Sequence, residues 1–594
     1  TDKVTIEGGK ELVLVGNAVN AIPEGSFGDD ANKLLKDSAD GGSIDVNNGT
    51  FTFGSHGGVT PTVGWILSSN IGENGALEAK NGEFADWTIA NNGNVHVHSN
   101  AILHTNSLTG NGAAVNEGKL SLDEKDGTGP TFDVAGSFTN KGGNSVLDAS
   151  KVEKVTVSGT HINEGQADYK DMLVAEGGSS TNSGTEQGNI LTVEGSHVNT
   201  GTSIWNGVTV ADKGKGENAG KLDVGSVFDV LGEFVNKGAE AVLDATKTAV
   251  ANVAGILRNE GTANYDDMTI ADGGKSENVG FEKGDILTVA NGGEHSNSGT
   301  SIWNNVTVET GASSSVEAGG KETINDAYVI AGDRVNKGEV DATGVESTEV
   351  TGTLDNQGTS NYDDMTVGDG GKSNNSGYEK GDILIIEDGG EHINSGTSIW
   401  NNQTVQVGGS ATTEEGGKET INDKYVIAGD KTNKGEVDAT KVTDTLVSGT
   451  LDNQGKSEYD DMTIQGGGTS NNSGYEKGDI LTIDPDGVHD NSGTSIWNNV
   501  VVAGGDVNNI GDIETGKLTI DDGLVKIDGG SLKAEETDLN GGDLVIGNDR
   551  EPSEENHVKA EINPEGDVID TNIYVKNNGD LNLGPTGGLD WADS

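Results

Sequence analysis

Three groups of residues carry the chemistry this sequence could perform, and all three recur along the chain. Adjacent acids stand at Asp266 and Asp267, at Asp363 and Asp364, and at Asp460 and Asp461. Such carboxylate pairs suit a hard cation, and calcium takes about six to eight oxygen ligands. One pair supplies too few, so a calcium site there needs Asx oxygens from a neighbouring segment. The competing reading is that these are bend residues on a solvated face. The Gly- and Asp-rich nonapeptide of calcium-binding β-helices is not repeated here.

The second group is aromatic. Trp205, Trp303, Trp400 and Trp497 each sit in the phrase GTSIWN. Exposed in a row, the four indoles would form a ligand stripe of sugar-stacking platforms. Alternatively, each indole covers a glycine in the adjoining segment, as Gly381 would lie beneath Trp400.

The third group is histidine. His295, His392 and His489 recur at the long spacing, too far apart to share a metal. His96, His98 and His104 lie closer, and H-x-H on a strand turns both rings to one face, as zinc requires. Ordinary surface histidines are again the alternative. Carboxylates that cleave glycosides need a singular cluster with an acid or base partner. None is found: carboxylates are everywhere, and the three arginines, Arg258, Arg334 and Arg550, share no motif. The expectation is a protein that is not an enzyme and has no cofactor unless calcium.

What must position these residues is a repeat. Trp205, Trp303, Trp400 and Trp497 are 97 or 98 residues apart, and Tyr169, Tyr265, Tyr362 and Tyr459 are 96 or 97 apart. Inside this long repeat runs a shorter one. Asn-x-Gly falls at Asn356, Asn375, Asn394, Asn433, Asn453, Asn472 and Asn491, and Glu414-Glu415-Gly416 fills the one gap. The short period is thus 19–20 residues, five to each long repeat. It is too short for helix pairs, which need about 33 residues or more. Val and Thr favour strands while Gly and Asn favour turns, so one period reads as one coil of a parallel β-helix.

Stacked on Asn-x-Gly, consecutive coils place Asp363, Asp382, Asn401 and Asn422 in one structural ladder. Val367, Ile386, Val405 and Val426 fall in an inward column. No proline interrupts residues 131–484, as strands bonded on both edges demand. The expected fold is all-β: a single long parallel β-helix, or β-solenoid, with about 19–20 residues per coil and five coils per 97-residue repeat. At about 4.8 Å per coil, about 31 coils would make a rod on the order of 145 Å. Residues 1–130 keep the beat loosely and read as an irregular N-terminal solenoid or cap. Residues 131–505 hold the regular repeats, and residues 506–594 hold C-terminal coils followed by a cap or tail.

Composition agrees with a thin, stacked core. Glycine makes up 94 of the 594 residues and aromatics only 4%, too few to fill several thick cores. The 97 acidic against 37 basic residues give a net charge of −60, which repels nucleic acid and anionic membranes. Cysteine is absent, so neither disulfides nor thiolate metal sites form, and no apolar run is long enough to span a membrane as a helix. The chain begins with Thr1, which reads as a product trimmed of an export signal.

Through phrases such as LDNQGTSNYDD and NSGTSIWNNVTV, residues 40–545 resemble the β-helical passenger regions of autotransporters and filamentous-haemagglutinin-type bacterial surface proteins. The resemblance implies an extracellular or cell-surface location and a structural role as surface fibre, adhesin, or self-assembling filament or biofilm scaffold. Its expected partners are other copies of the chain or cell-surface and matrix glycans, with neither nucleic acid nor membrane insertion. A glycan-binding or glycan-cleaving β-helix is the alternative.

Overall fold

A computed structural model describes residues 68–124 and 127–547, together with strand segments at 3–6, 10–15, 43–46, 49–54, 558–562, 572–575 and 579–583. These residues are all-β, contain no helix, and form a parallel β-solenoid whose coils recur about every 19 residues. Among the described residues no helix is long and apolar enough to cross a membrane. The chain divides into two compact units, Thr1–Thr288 with Gly292–Ile302, and Val289–Asn291 with Trp303–Ser594.

Each regular coil contains three strand segments. In the second unit one coil runs Thr353–Asn356, Thr359–Tyr362 and Asp364–Val367. Each segment pairs in parallel with its counterpart one coil on: Thr353 with Lys372, Thr359 with Tyr378, Asp364 with Ile383. Alternation decides which side chains enter the core, since successive residues of a strand point to opposite faces. All three segments of that coil alternate partly exposed with buried residues, the fourth position always being buried.

The Asn-x-Gly beat has two physical causes. The ladder Asn is buried, and in most coils its amide bonds to the Asn of the next. In the second unit, Asn356 Nδ2 donates to Asn375 Oδ1 at 2.9 Å, and Asn375 Nδ2 donates to Asn394 Oδ1 at 2.9 Å. The second amide hydrogen goes to a backbone carbonyl at the next corner, as from Asn375 to Thr397 O at 2.9 Å. The same chain of amides runs unbroken in the first unit from Asn116 through Asn140, Asn163 and Asn182 to Asn199, and on to Asn297. The glycine two residues later sits where the backbones of adjacent coils meet. A Cβ on Gly377 would overlap the carbonyl oxygen of Gly358.

Three details depart from the sequence reading. The described residues make about 25 turns rather than 31, partly because the first coils are long: Lys3 pairs with Ser43, and Ser43 with Ser68. The ladder position between Asn394 and Asn433 is taken by Thr413, not by Glu414, because that corner carries two extra residues. The column Val367, Ile386 and Val405 continues to Ile427 rather than Val426, since the register shifts after Trp400 and Asp423 bulges out. The apolar N-terminal segment Glu11–Gly16 coincides with the strand Lys10–Val15. Pro23, Pro61, Pro552, Pro564 and Pro585 and the final residues 588–594 lie outside the described residues.

A mid-ladder amide has three bonds to lose. Asn375→Ala leaves both neighbouring amides and one carbonyl short of a partner, at about 1 kcal/mol per bond and more where the group stays dry. Urea unfolding is expected to register a loss of about 2–4 kcal/mol. Asn375→Thr, the residue found at position 413, should cost less than the alanine variant; equal losses would contradict the hydrogen-bond account.

Candidate functional site

The four tryptophans are core residues. Trp205, Trp303, Trp400 and Trp497 are at most 1% exposed, so the ligand stripe expected from the sequence is corrected: no indole face is available to a sugar. The cause is strand alternation, because each Trp is an even step from the buried Ser of the same segment and therefore points inward with it. The second-strand column runs Tyr362, Gly381, Trp400 through three coils. A Cβ on Gly381 would collide with Cζ3 of Trp400. With no side chain there, the Tyr362 and Trp400 rings stack across the gap at 6.1 Å and 11°. Tyr459 and Trp497 do the same over Gly478 at 6.0 Å and 9°, and Tyr169 and Trp205 over Gly188 at 5.7 Å and 14°. The recurrence of Tyr and Trp in the sequence is therefore the recurrence of one packed sandwich.

His295, His392 and His489 are buried too, and His197 joins them. Each lies two residues before a ladder Asn, on the same inward face. Beside each stands a buried glutamate that sequence reasoning missed. His392 Nε2 is 3.2 Å from Glu379 Oε1, and His489 Nε2 is 3.1 Å from Glu476 Oε1. In the first unit, His197 and Glu186 are 3.1 Å apart, and His295 and Glu282 are 3.3 Å apart. These close contacts lie off the hydrogen-bonding direction, since the histidine nitrogens have no hydrogen-bond partner. The hydrogen bonds run elsewhere: Trp400 Nε1 donates to Ser398 Oγ at 2.9 Å, and Ser398 Oγ donates to Glu379 Oε1 at 2.7 Å.

Ser, His and a carboxylate are the residue types of a hydrolytic triad, but the arrangement is different. In a triad the imidazole takes the serine proton and the carboxylate orients the imidazole. Here the serine hydroxyl is committed to the carboxylate, and Ser398, His392 and Glu379 are all fully buried. With no path for a substrate and several copies along the chain, these groups act as internal packing. Burial pushes the Glu186 carboxyl up, but the neighbouring His197 and the bond from Ser203 outweigh it and hold the group below the usual range.

Two further charge pairs are fully buried in the second unit. Arg334 bonds Glu322 and Ser314, and Lys431 bonds Glu419. Thr413 Oγ1 and Gln403 Nε2 complete the Glu419 shell at 2.7 and 2.6 Å. Burial raises the Glu419 carboxyl, yet the Lys431 ammonium prevails and keeps it below its ordinary value. In the first unit Asp86, also buried, has no cation beside it. Desolvation pushes it up to about 8 against a 2.6 Å bond from Ser69.

The acid pairs are outside. Asp266 and Asp267 converge with Asp285, Asp363 and Asp364 with Asp382, and Asp460 and Asp461 with Asp479, one oxygen from each lying within 4.8 Å of the others. The third acid comes from the next coil, which supplies the neighbouring oxygen that an isolated pair lacks. Burial, followed by the charge of the adjoining acids, raises the carboxyls of Asp267, Asp364 and Asp461 above the usual range, though a backbone N–H from the next coil bonds each. Three carboxylates are half of a calcium shell, and water would supply the remainder. The ladder residues follow on the same edge: Asp382 N donates to Asp363 O at 2.6 Å, Asn401 Nδ2 to Asp382 Oδ1 at 2.8 Å, and Asn422 Nδ2 to Asn401 Oδ1 at 3.3 Å.

No protein-family model matches this chain, and no curated protein matches it significantly.

Two expectations test this interior. Gly381→Ala should destabilise by about 3 kcal/mol through overpacking, and the penalty should fall below about 1 kcal/mol when introduced beside Trp400→Leu. A penalty unchanged by the Trp substitution would show that the sandwich is not its cause. Lys431→Met should cost about 3–5 kcal/mol by stranding a buried carboxylate, with most of it recovered on adding Glu419→Val. Because the folded Glu419 titrates below its unfolded value of about 4.3, the pair contributes fully above that pH and is lost as pH falls through the folded value. Thermal melts should therefore decline more steeply between about pH 5 and 3 for the natural protein than for the double variant.

Proposed function

We propose that this protein is an extracellular structural element, a stiff acidic β-solenoid that serves as a surface fibre or filament scaffold and associates with further copies of itself. One observation carries the reading: the side chains able to do chemistry, the Trp, His, Glu and Ser of the long repeat, are turned inward and reused as packing. What the described residues leave outside is largely a repetition of acidic and amide side chains. Stiffness follows from parallel backbone pairing of every coil with the next, reinforced by the amide ladders. Extracellular placement is supported by the lack of cysteine and by the net charge of −60, which keeps such a chain hydrated.

An adhesin that grips glycans would need exposed aromatic platforms, and the tryptophans best suited to that are covered. The reading therefore rests on self-association rather than on a sugar ligand. Like-charged surfaces approach one another only when salt screens them, over a Debye length of about 8 Å at physiological ionic strength. Negative-stain electron microscopy of the purified protein should show elongated particles that join into filaments as salt or calcium is raised. Dispersed single particles under every such condition would sink the proposal.

A further inference from the structure

In the first unit the H-x-H pair meets glutamates from the coils on both sides. His96 and His98 lie on the strand Asn94–Thr109, at positions that alternate with buried Val95 and Val97, so both rings emerge on the outer face. Glu78 is paired directly with His96 from the preceding coil. Glu117 belongs to the following coil, just beyond the pairing of Val97 with Asn116. Parallel strands about 4.8 Å apart thus bring these four side chains from three successive coils side by side.

The distances are those of a ligand set. His98 Nε2 is 2.5 Å from Glu78 Oε2, His96 Nδ1 is 3.7 Å from the same oxygen, and His96 Nε2 is 3.2 Å from Glu117 Oε2. One atom each from Glu78, His96 and His98 lies within 4.8 Å of the other two. The imidazole rings are 3.8 Å apart at 31°. All four side chains are between 23% and 33% exposed, rigid enough to hold position and open enough for an ion to enter.

We propose that Glu78, His96 and His98 bind a borderline divalent cation of the zinc, copper and nickel class, with water completing the shell and Glu117 holding the other ring nitrogen of His96 in place. Zinc bonds nitrogen at about 2.0–2.1 Å and carboxylate oxygen at about 2.0–2.2 Å, so tetrahedral ligand atoms stand about 3.3 Å apart. Drawing the present atoms onto one ion takes side-chain movements on the order of 1 Å. Charge also suits an ion here, because a dication balances the Glu78 carboxylate that both rings approach. Glu117 keeps a second role, since its Oε1 holds Lys141 at 3.0 Å while Oε2 faces the histidines. Calcium does not compete here, because it selects oxygen over imidazole.

The test is zinc binding by the EDTA-treated full chain, followed by calorimetry in excess calcium to occupy the acidic surface. One zinc equivalent per chain is expected to persist under calcium, and to be lost in His96→Gln and in His98→Gln. Glu78→Gln should weaken it, while His104→Gln, outside the set, should leave it. Cobalt(II) should give the intense visible absorption of a four-coordinate site with nitrogen ligands. Circular dichroism and the unfolding midpoint verify that each variant is folded. Zinc uptake by the double variant His96→Gln, His98→Gln equal to that of the natural chain would overturn the proposal, as would a cobalt spectrum typical of the hexahydrated ion. Neither result bears on filament formation, which concerns a different surface property.

Discussion

A polar group buried between stacked coils must find its partner in the coil above or below, and this requirement shapes everything else in the protein. The buried Asn meets it with an amide that accepts from one neighbour and donates to the next. That geometry works only if consecutive coils stay at strand spacing and in strict register. Glycine at the following corner lets the backbones come that close. Where the ladder residue is Thr413, the corner lengthens and the interior changes with it, admitting Glu419, Lys431 and Gln403 as a substitute network. Polar satisfaction, more than apolar volume, sets the coil.

This explains how so little hydrophobic residue suffices. Aromatics form only 4% of the chain, yet the largest buried side chains include all four repeated tryptophans. They are placed where Gly leaves an opening in the column, so a bulky ring and a missing one alternate with the Tyr two coils away. The interior is consequently mixed: dry columns such as Val367, Ile386 and Val405 stand beside Ser, His and Glu that are equally buried. Packing and hydrogen bonding share one narrow volume.

Much of the fold was legible because its signals are periodic. The 19–20-residue beat gave the coil, the 97-residue phrase gave five coils, and the Asx column from Asp363 to Asn422 follows from aligning them. The site was harder, because period alone does not say which face a residue occupies. His392 and Trp400 look like surface chemistry when read by type. Read by parity within their strands, counting in steps of two from the buried Asn394 and Ser398, both fall inside. The buried glutamates had the same signature but hid among 97 acids. Bulges were beyond reach, since the extra Asp423 is absorbed locally and moves the column by one residue. The third acid of each exposed triplet depends on neighbouring coils and became visible only with register.

The buried charge pairs also bear on how coils recognise one another. Within the second unit, Glu379 meets His392 and Glu419 meets Lys431, while the coil after Lys431 presents Leu451 at the same point. A slip of one coil would bring a buried charge against leucine, at a cost of several kcal/mol. A slip of five coils would bring Glu379 to the place of Glu476, where another histidine waits. Neighbours within a repeat are thus distinguished by charge, whereas whole repeats are nearly interchangeable. The interior encodes an address that is unique over five coils and then starts again.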